Sequence, residues 1–217
     1  DYMDQVIKEG YTIGVGMGSV INRFVHQLAP QKKYENLLFI PLVGGVTSIA
    51  TEIHSNYLSE QMSKIYGGKF LPLHAPAQVA RNQTKSELLK EASILTVLEK
   101  TKKLDIAITS LGSVDEKLPN LVRELYFNDQ EILQKMIDEE IIGDLCLQCF
   151  NEHGNVDKFD CNKLIIGIDL HDLRKATYSI VIAAGKHKVN AIRGAIRGRF
   201  LNVLVTDKDC AEILLID

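Results

Sequence analysis

No stretch of the chain approaches the roughly 18 consecutive apolar residues that a membrane-spanning helix requires. Lysine and arginine (25) do not outnumber aspartate and glutamate (28). The first absence leaves no membrane span to expect. The second removes the basic excess by which a domain devoted to nucleic acid is recognised. No basic stretch followed by an apolar run and a cleavage site opens the chain, so no secretory signal is expected. The first residue is Asp1 rather than Met, and the simplest expectation is that an upstream segment is missing.

Cysteine is scarce as well: four in 217 residues, Cys146, Cys149, Cys161 and Cys210. Four thiols without a secretion signal fit a reducing, cytoplasmic compartment. Cys146 and Cys149 form a C-x-x-C pair that could begin a zinc site with Cys161 and either His153 or His171. A second C-x-x-C is absent, however, and residues 143–150 read as an apolar strand in which cysteine is a small buried side chain. The histidines at 26, 54, 74, 153, 171 and 187 do not pair at ligand spacing, so neither metal nor cofactor is expected. The chain has no nucleophile elbow, G-x-S-x-G. It also reaches its first strand by Tyr11, too early to hold a helix-turn-helix.

What the chain does have is an alternation of short apolar runs and amphipathic stretches. Residues 11–15 read as a strand, and 19–28 as a helix with Val20, Phe24, Val25 and Leu28 on one face. A second strand over 37–43 ends in glycines, and one long helix over 47–65 carries Ile49, Ile53, Tyr57 and Leu58 on its buried stripe. A short strand over 69–73 precedes a helix opened by the capping box Thr84 and Glu87 and continued through Leu88, Leu95 and Leu98. Residues 104–110 form the next strand. A loop with Gly112 and Pro119 follows, then a helix capped by Asn128 and Glu131 that runs through Ile132, Met136 and Ile137. Residues 143–150 are expected as one strand with a hairpin turn at 152–155. Further strands are expected over 164–168, 179–183 and 202–205, with a helix over 188–196. Strands separated by helices imply right-handed βαβ units. The expected fold class is α/β: a mainly parallel Rossmann-like sheet flanked by helices, with a small antiparallel insertion near Asn155, in one domain over 1–217.

Gly14, Gly16 and Gly18 stand between the first strand and its helix. Backbone N–H groups can approach an anion there, the helix N-terminus adds partial positive charge, and the Ser19 hydroxyl is one more donor. The plainer reading is a tight turn with no ligand. The spacing is G-x-G-x-G, not G-x-G-x-x-G, and Lys and Ser/Thr do not follow as in a P-loop. The second strand ends at Val43, Gly44 and Gly45 without the acid that holds a ribose hydroxyl. A monophosphate therefore fits better than NAD or ATP.

Ligands of parallel sheets bind at the carboxyl ends of strands. That draws in the loops at Gly44 and Gly45, at 110–112, and at 183–188. Lys188 stands at a helix start, where a cation is locally unfavourable unless an anionic or polyhydroxyl ligand offsets it; a solvated lysine is the alternative. Asp144, heading an apolar strand, can accept two sugar hydroxyls or simply cap the strand towards water. Lys186, Lys188, Arg193, Arg197 and Arg199 make the tail basic, which fits a solvated helix face or a subunit contact better than a nucleic-acid patch.

Several blocks occur in order: GVGMGS at 14–19, PLVGG at 41–45, Asn56, LHAPA at 73–77, DIAITSLG at 105–112, GDLCLQCF at 143–150, Gly167 with Ile168, AAGKHK at 183–188, AIRGA at 191–195 and NVLVTD at 202–207. In this ordered set, which covers nearly the whole chain, the sequence resembles the effector-binding domain of the SorC family, also called the DeoR-like sugar-binding domain, of bacterial transcriptional regulators of carbohydrate metabolism. The resemblance implies a fold similar to phosphosugar isomerases, glucosamine-phosphate deaminases and CoA-transferase-like proteins. It implies a phosphorylated sugar or related metabolite as effector, and operator DNA as partner of a helix-turn-helix domain expected upstream. It also implies a cytoplasmic homodimer or homotetramer with no membrane partner. It places the phosphate on Gly16, Gly18, Ser19 and Val20 with help from Gly44 and Gly45, sugar hydroxyls on Asp144, and a ligand-contacting lysine at Lys188. His54 and Asn56 fall among the polar contacts. Two departures stand out. Val20 occupies a position where a hydroxyl residue is common. Gly44 stands where one branch has a Schiff-base lysine, so no covalent adduct is expected there.

The competing class is a sugar-phosphate isomerase or deaminase. Such enzymes place catalytic carboxylates after a strand like 104–110, where this chain has Thr109, Ser110, Leu111 and Gly112. Proton transfer needs a positioned base, and Asp144 alone is a poor substitute. A non-enzymatic module that shifts a conformational balance through differential affinity is expected instead. An NAD-linked oxidoreductase is disfavoured by the missing ribose acid.

Overall fold

The computed structural model describes residues 2–47, 49–114, 134 and 138–216. Helix α1 (Tyr2–Val6) precedes strand β1 (Thr12–Val15) and helix α2 (Ser19–His26). β2 (Leu38–Pro41), α3 (Ser55–Tyr66) and β3 (Lys69–Phe70) follow, then α4 (Asn82–Leu88), α5 (Ala92–Thr101) and β4 (Ile106–Ser113). The second half holds β5 (Ile141–Leu145), β6 (Gln148–Asn151), α6 (Leu170–Leu173), β7 (Tyr178–Ile182), α7 (Val189–Arg197), β8 (Val203–Val205) and α8 (Lys208–Ile216).

The main sheet runs β3-β2-β1-β4-β7-β8, all parallel. From β1 the chain moves outward through β2 and β3, returns to place β4 beside β1, and then moves outward the other way. The reversal between β1 and β4 is a topological switch point, where open α/β sheets receive ligands. β4 also leaves the sheet. Residues Ile106 to Ser110 pair in parallel with β7, whereas Leu111, Gly112 and Ser113 pair antiparallel with Leu145, Asp144 and Gly143 of β5. The β5–β6 hairpin is the antiparallel insertion.

Both faces of the sheet are covered, which is why its strands read as near-continuous apolar runs. Ile13, Val15, Phe39, Ile106, Ile108 and Ile180 face one layer with Ile21, Val25, Leu58, Met62 and Tyr66 of α2 and α3. Leu42, Ala107, Leu111 and Val181 face the other with Val97, Ala191, Ile192, Ala195 and Phe200. Each fully buried Val, Leu, Ile, Met or Phe among them contributes about 1.5–3 kcal/mol by leaving water.

Several elements depart from expectation for local reasons. The long helix expected over 47–65 is interrupted: Thr51–Ile53 forms a 3-10 turn, His54 is extended (ψ 141°), and α3 starts at Ser55. Its buried stripe includes Ser55, Ser59 and Ser63, small residues that let it lie close to the sheet and that hydrophobic periodicity overlooks. α2 buries Ile21 and Val25 rather than Val20 and Phe24. Thr84 lies inside α4, whose N-cap is Arg81, so no capping box forms.

The strand expected over 143–150 is broken by a two-residue turn at Cys146 (φ 50°) and Leu147 (φ 66°). That turn normally calls for glycine or asparagine, so nothing in the sequence flags it. Residues 152–155 do turn, but they lead into an irregular segment. The strand expected over 164–168 is a 3-10 turn, Asp160–Leu164, followed by isolated bridges from Ile165 to Gln78 and Gly167 to Val43. Gly112 lies within β4, not in a loop. Pro119 and the expected helix through Asn128, Glu131, Ile132, Met136 and Ile137 lie outside the described residues.

Candidate functional site

β1 hands over to α2 through Gly16, Met17 and Gly18. The Gly16 N–H donates to the Ile108 carbonyl of β4 (2.8 Å) and the Gly18 N–H to the Ile53 carbonyl (2.9 Å). These glycines therefore shape the turn rather than present donors. Gly18 has φ 117°, and a Cβ there would stand 3.0 Å from Ser110 Oγ. The donors that remain belong to the first turn of α2. The Asn22 N–H makes the first helical bond, onto Gly18, so the N–H groups of Ser19, Val20 and Ile21 have no intrahelical acceptor. No side chain caps this end and no acid stands in the first turn, leaving about half a positive charge from the macrodipole unopposed by that turn.

Two serines fasten the surroundings. Ser110 Oγ donates to the Met17 carbonyl (2.9 Å). Buried Ser55 Oγ donates to the Val15 carbonyl and accepts the Leu42 N–H, joining the ends of β1 and β2 to α3. Sequence reasoning misses Ser55, whose only signal is a hydroxyl at the head of a helix that follows a glycine loop.

Lys188 ends the 3-10 turn after β7. Its Nζ donates to the Leu111 carbonyl on β4 (2.7 Å). Burial holds its pKa below the usual lysine range, and the charge of Asp144 acts against that shift. Asp144 is buried on β5, 7% exposed and paired with Gly112. Lys188 and Asp144 thus converge on the last residues of β4. Ser110, beside Gly18, and Gly112, beside Asp144, are separated by two strand rises, about 7 Å. That span suits a short polyhydroxyl chain with an anion at one end.

The other sequence-derived residues serve the scaffold. The Gly44 N–H donates to the Ile166 carbonyl (3.0 Å) and the Gly45 N–H to the Ala75 carbonyl (2.9 Å), while Gly45 accepts the Ala77 N–H (2.7 Å). A Cβ at Gly44 would lie 2.4 Å from the Pro76 oxygen, so no side chain, lysine included, fits there without displacing that loop. Asn56 uses both ends of its amide on Leu73, each at 2.9 Å. His54 Nε2 lies 3.4 Å from the Ile49 carbonyl, and the ring flanks Gly45. The structure brings Ser19, Val20, Asp144 and Lys188 to neighbouring strand ends and keeps Gly44, Gly45 and Asn56 in backbone stitching.

In the basic tail, Arg193 donates to the Ile213 carbonyl (3.2 Å), Arg197 to the Glu152 carbonyl (3.1 Å), and Lys186 pairs with Asp209 (3.2 Å). Among the described residues no group of three or more His, Cys, Asp and Glu side chains is placed to hold a metal ion, and no helix is long and apolar enough to cross a membrane.

The chain matches the family model described as "Putative sugar-binding domain" over residues 1–216. It is 30% identical over 220 residues to the deoxyribonucleoside regulator of Bacillus subtilis (strain 168), covering 100% of this chain and 68% of that relative. The crystal structure of the probable sor operon regulator from Shigella flexneri has a TM-score of 0.89 at 25% identity, over 99% of this chain and 84% of that one. The full-length sorbitol operon regulator SorC from Klebsiella pneumoniae shares the fold with a TM-score of 0.91 at 24% identity, over 99% and 69% of the two chains. With the family match spanning almost every residue, this chain belongs to the sugar-binding domain family of SorC/DeoR-type transcriptional regulators.

Proposed function

We propose that this domain senses a phosphorylated sugar on behalf of a cytoplasmic, homo-oligomeric regulator of carbohydrate genes, whose helix-turn-helix part binds operator DNA. The observation that carries the reading is the uncapped N-terminus of α2 at the switch point, where the amides of Ser19, Val20 and Ile21 have no intrahelical acceptor. The phosphate sits on these amides and the Ser19 hydroxyl. Asp144 accepts sugar hydroxyls and Lys188 donates to the same chain of oxygens. Relatives named as regulators of deoxyribonucleoside, sorbitol operon and central glycolytic genes support the sugar class. The domain acts by binding rather than turnover: the end of β4 itself carries Ser110, Leu111 and Gly112, and Asp144 is the one carboxylate the described strands bring beside it.

A thermal-shift panel of free and phosphorylated sugars tests this. A cognate sugar phosphate at about 100 times its Kd stabilises the fold by roughly 2.7 kcal/mol. Stabilisation by neutral sugars alone, or conversion of a panel member by the pure protein, refutes the reading.

A further inference from the structure

Two of the four thiols lie together behind the hairpin. Cys149 on β6 is fully buried, and Cys161, in the 3-10 turn Asp160–Leu164, is partly exposed. Asn162 clasps both. Its Oδ1 accepts the Cys149 N–H (2.7 Å) and lies 3.7 Å from Cys161 Sγ, while its Nδ2 donates to the carbonyls of Cys149 (2.8 Å) and Val156 (2.9 Å). Asn162 thus holds the Cys161 sulfur beside the Cys149 backbone. The Cys161 side chain, together with burial, pushes the Cys149 thiol up. The Cys149 side chain pulls the Cys161 thiol down despite its partial burial. The pair therefore combines a partly exposed cysteine inclined to the thiolate with a buried one beside it, the division of labour of a reactive and a resolving cysteine. Cys146 is not equivalent: burial and the charge of Asp144 push its thiol up to about 12.

We propose that Cys149 and Cys161 form an oxidation site at which a hydroperoxide converts the two thiols into an intramolecular disulfide. The Cys161 thiolate attacks the terminal oxygen of the O–O bond and becomes a sulfenic acid, and the departing alkoxide takes up a proton as an alcohol. The Cys149 sulfur then attacks the sulfenic sulfur, its proton leaves with the hydroxyl as water, and the S–S bond closes. Two electrons pass from the dithiol to the peroxide.

Cys149 stands directly opposite Asp144 in the hairpin register. The new bond ties β6 to the 160–164 turn at the cross-strand neighbour of the proposed sugar-binding acid, so oxidation changes effector affinity. This second consequence rests on the effector-site reading; the disulfide does not.

The full chain is treated with equimolar hydrogen peroxide without reductant, alkylated, and mapped by mass spectrometry. The expected product has lost two hydrogens, carries a Cys149–Cys161 cross-linked peptide, leaves Cys146 and Cys210 alkylatable, and reverts with dithiothreitol. Cys149→Ser should instead leave a sulfenic acid on Cys161 that dimedone traps. A cross-link through Cys146, or four alkylated thiols after treatment, overturns the oxidation site whatever the effector does, and the wild-type mapping does not depend on any variant folding. Titration of the oxidised protein with the sugar phosphate that stabilises the reduced form should show at least a several-fold change in Kd. An unchanged Kd with the disulfide in place refutes the coupling to Asp144 while sustaining the oxidation site.

Discussion

Lys188→Met keeps most of the length and the apolar stem of the side chain and removes only the charged end. In the free protein the cost is small. The 2.7 Å hydrogen bond to the Leu111 carbonyl is lost, but so is the burden of a half-buried ammonium, whose depressed pKa records the desolvation. These oppose each other, and the change in unfolding free energy should stay within about 1 kcal/mol. With effector bound, the ammonium faces ligand oxygens, and a charge-assisted hydrogen bond of this kind is worth about 1.5–3 kcal/mol. That corresponds to roughly a 10- to 150-fold rise in Kd. Isothermal titration with the most stabilising sugar phosphate measures it directly. Lys186→Met is the control, because Lys186 is exposed and paired with Asp209, and it should bind like wild type. If folded Lys188→Met binds within about twofold of wild type, Lys188 does not touch the effector and the site is wrongly drawn.

Ser19→Pro removes one first-turn amide and the hydroxyl at a position where proline suits the helix; phosphorylated ligands should weaken at least tenfold in a fluorescence or calorimetric titration, with the urea midpoint nearly unmoved. Gly44→Ala drives a methyl to 2.4 Å from the Pro76 oxygen and should destabilise by about 1–3 kcal/mol in urea; a neutral result would mean that the 75–77 loop moves freely. Burial lowers the Lys188 pKa from 10.5 in the folded chain, so the unfolded chain binds that proton more readily. Its destabilising effect is full below the folded pKa and fades as pH rises towards 10.5. The stability of wild type relative to Lys188→Met should therefore improve on going from neutral pH towards 10.5, and a difference that stays flat refutes the shift.

The parallel sheet was legible because apolar runs and glycine turns repeat in strand–helix order, and the strands at Thr12–Val15, Leu38–Pro41, Tyr178–Ile182 and Val203–Val205 fall where those runs lie. The hairpin was not. Cys146 and Leu147 occupy a turn with left-handed dihedrals, and their packing, rather than their local preference, holds them there. The glycine loop was legible as a turn, yet which N–H groups it leaves open depends on Ile53 and Ile108, carbonyls far away in sequence. Likewise the meeting of Asp144 and Lys188 depends on β4 running past Ser110, and no local pattern marks where a strand should continue after its parallel neighbours stop.

That overrun of β4 has a mechanical consequence. Ser110 still belongs to the parallel sheet and Gly112 already belongs to the hairpin. Along the chain a single residue, Leu111, joins the two, with no loop between them to absorb a tilt. A lever pivoted at Leu111 results: a shift of the hairpin at one arm is carried along one continuous strand to the turn beneath α2 at the other.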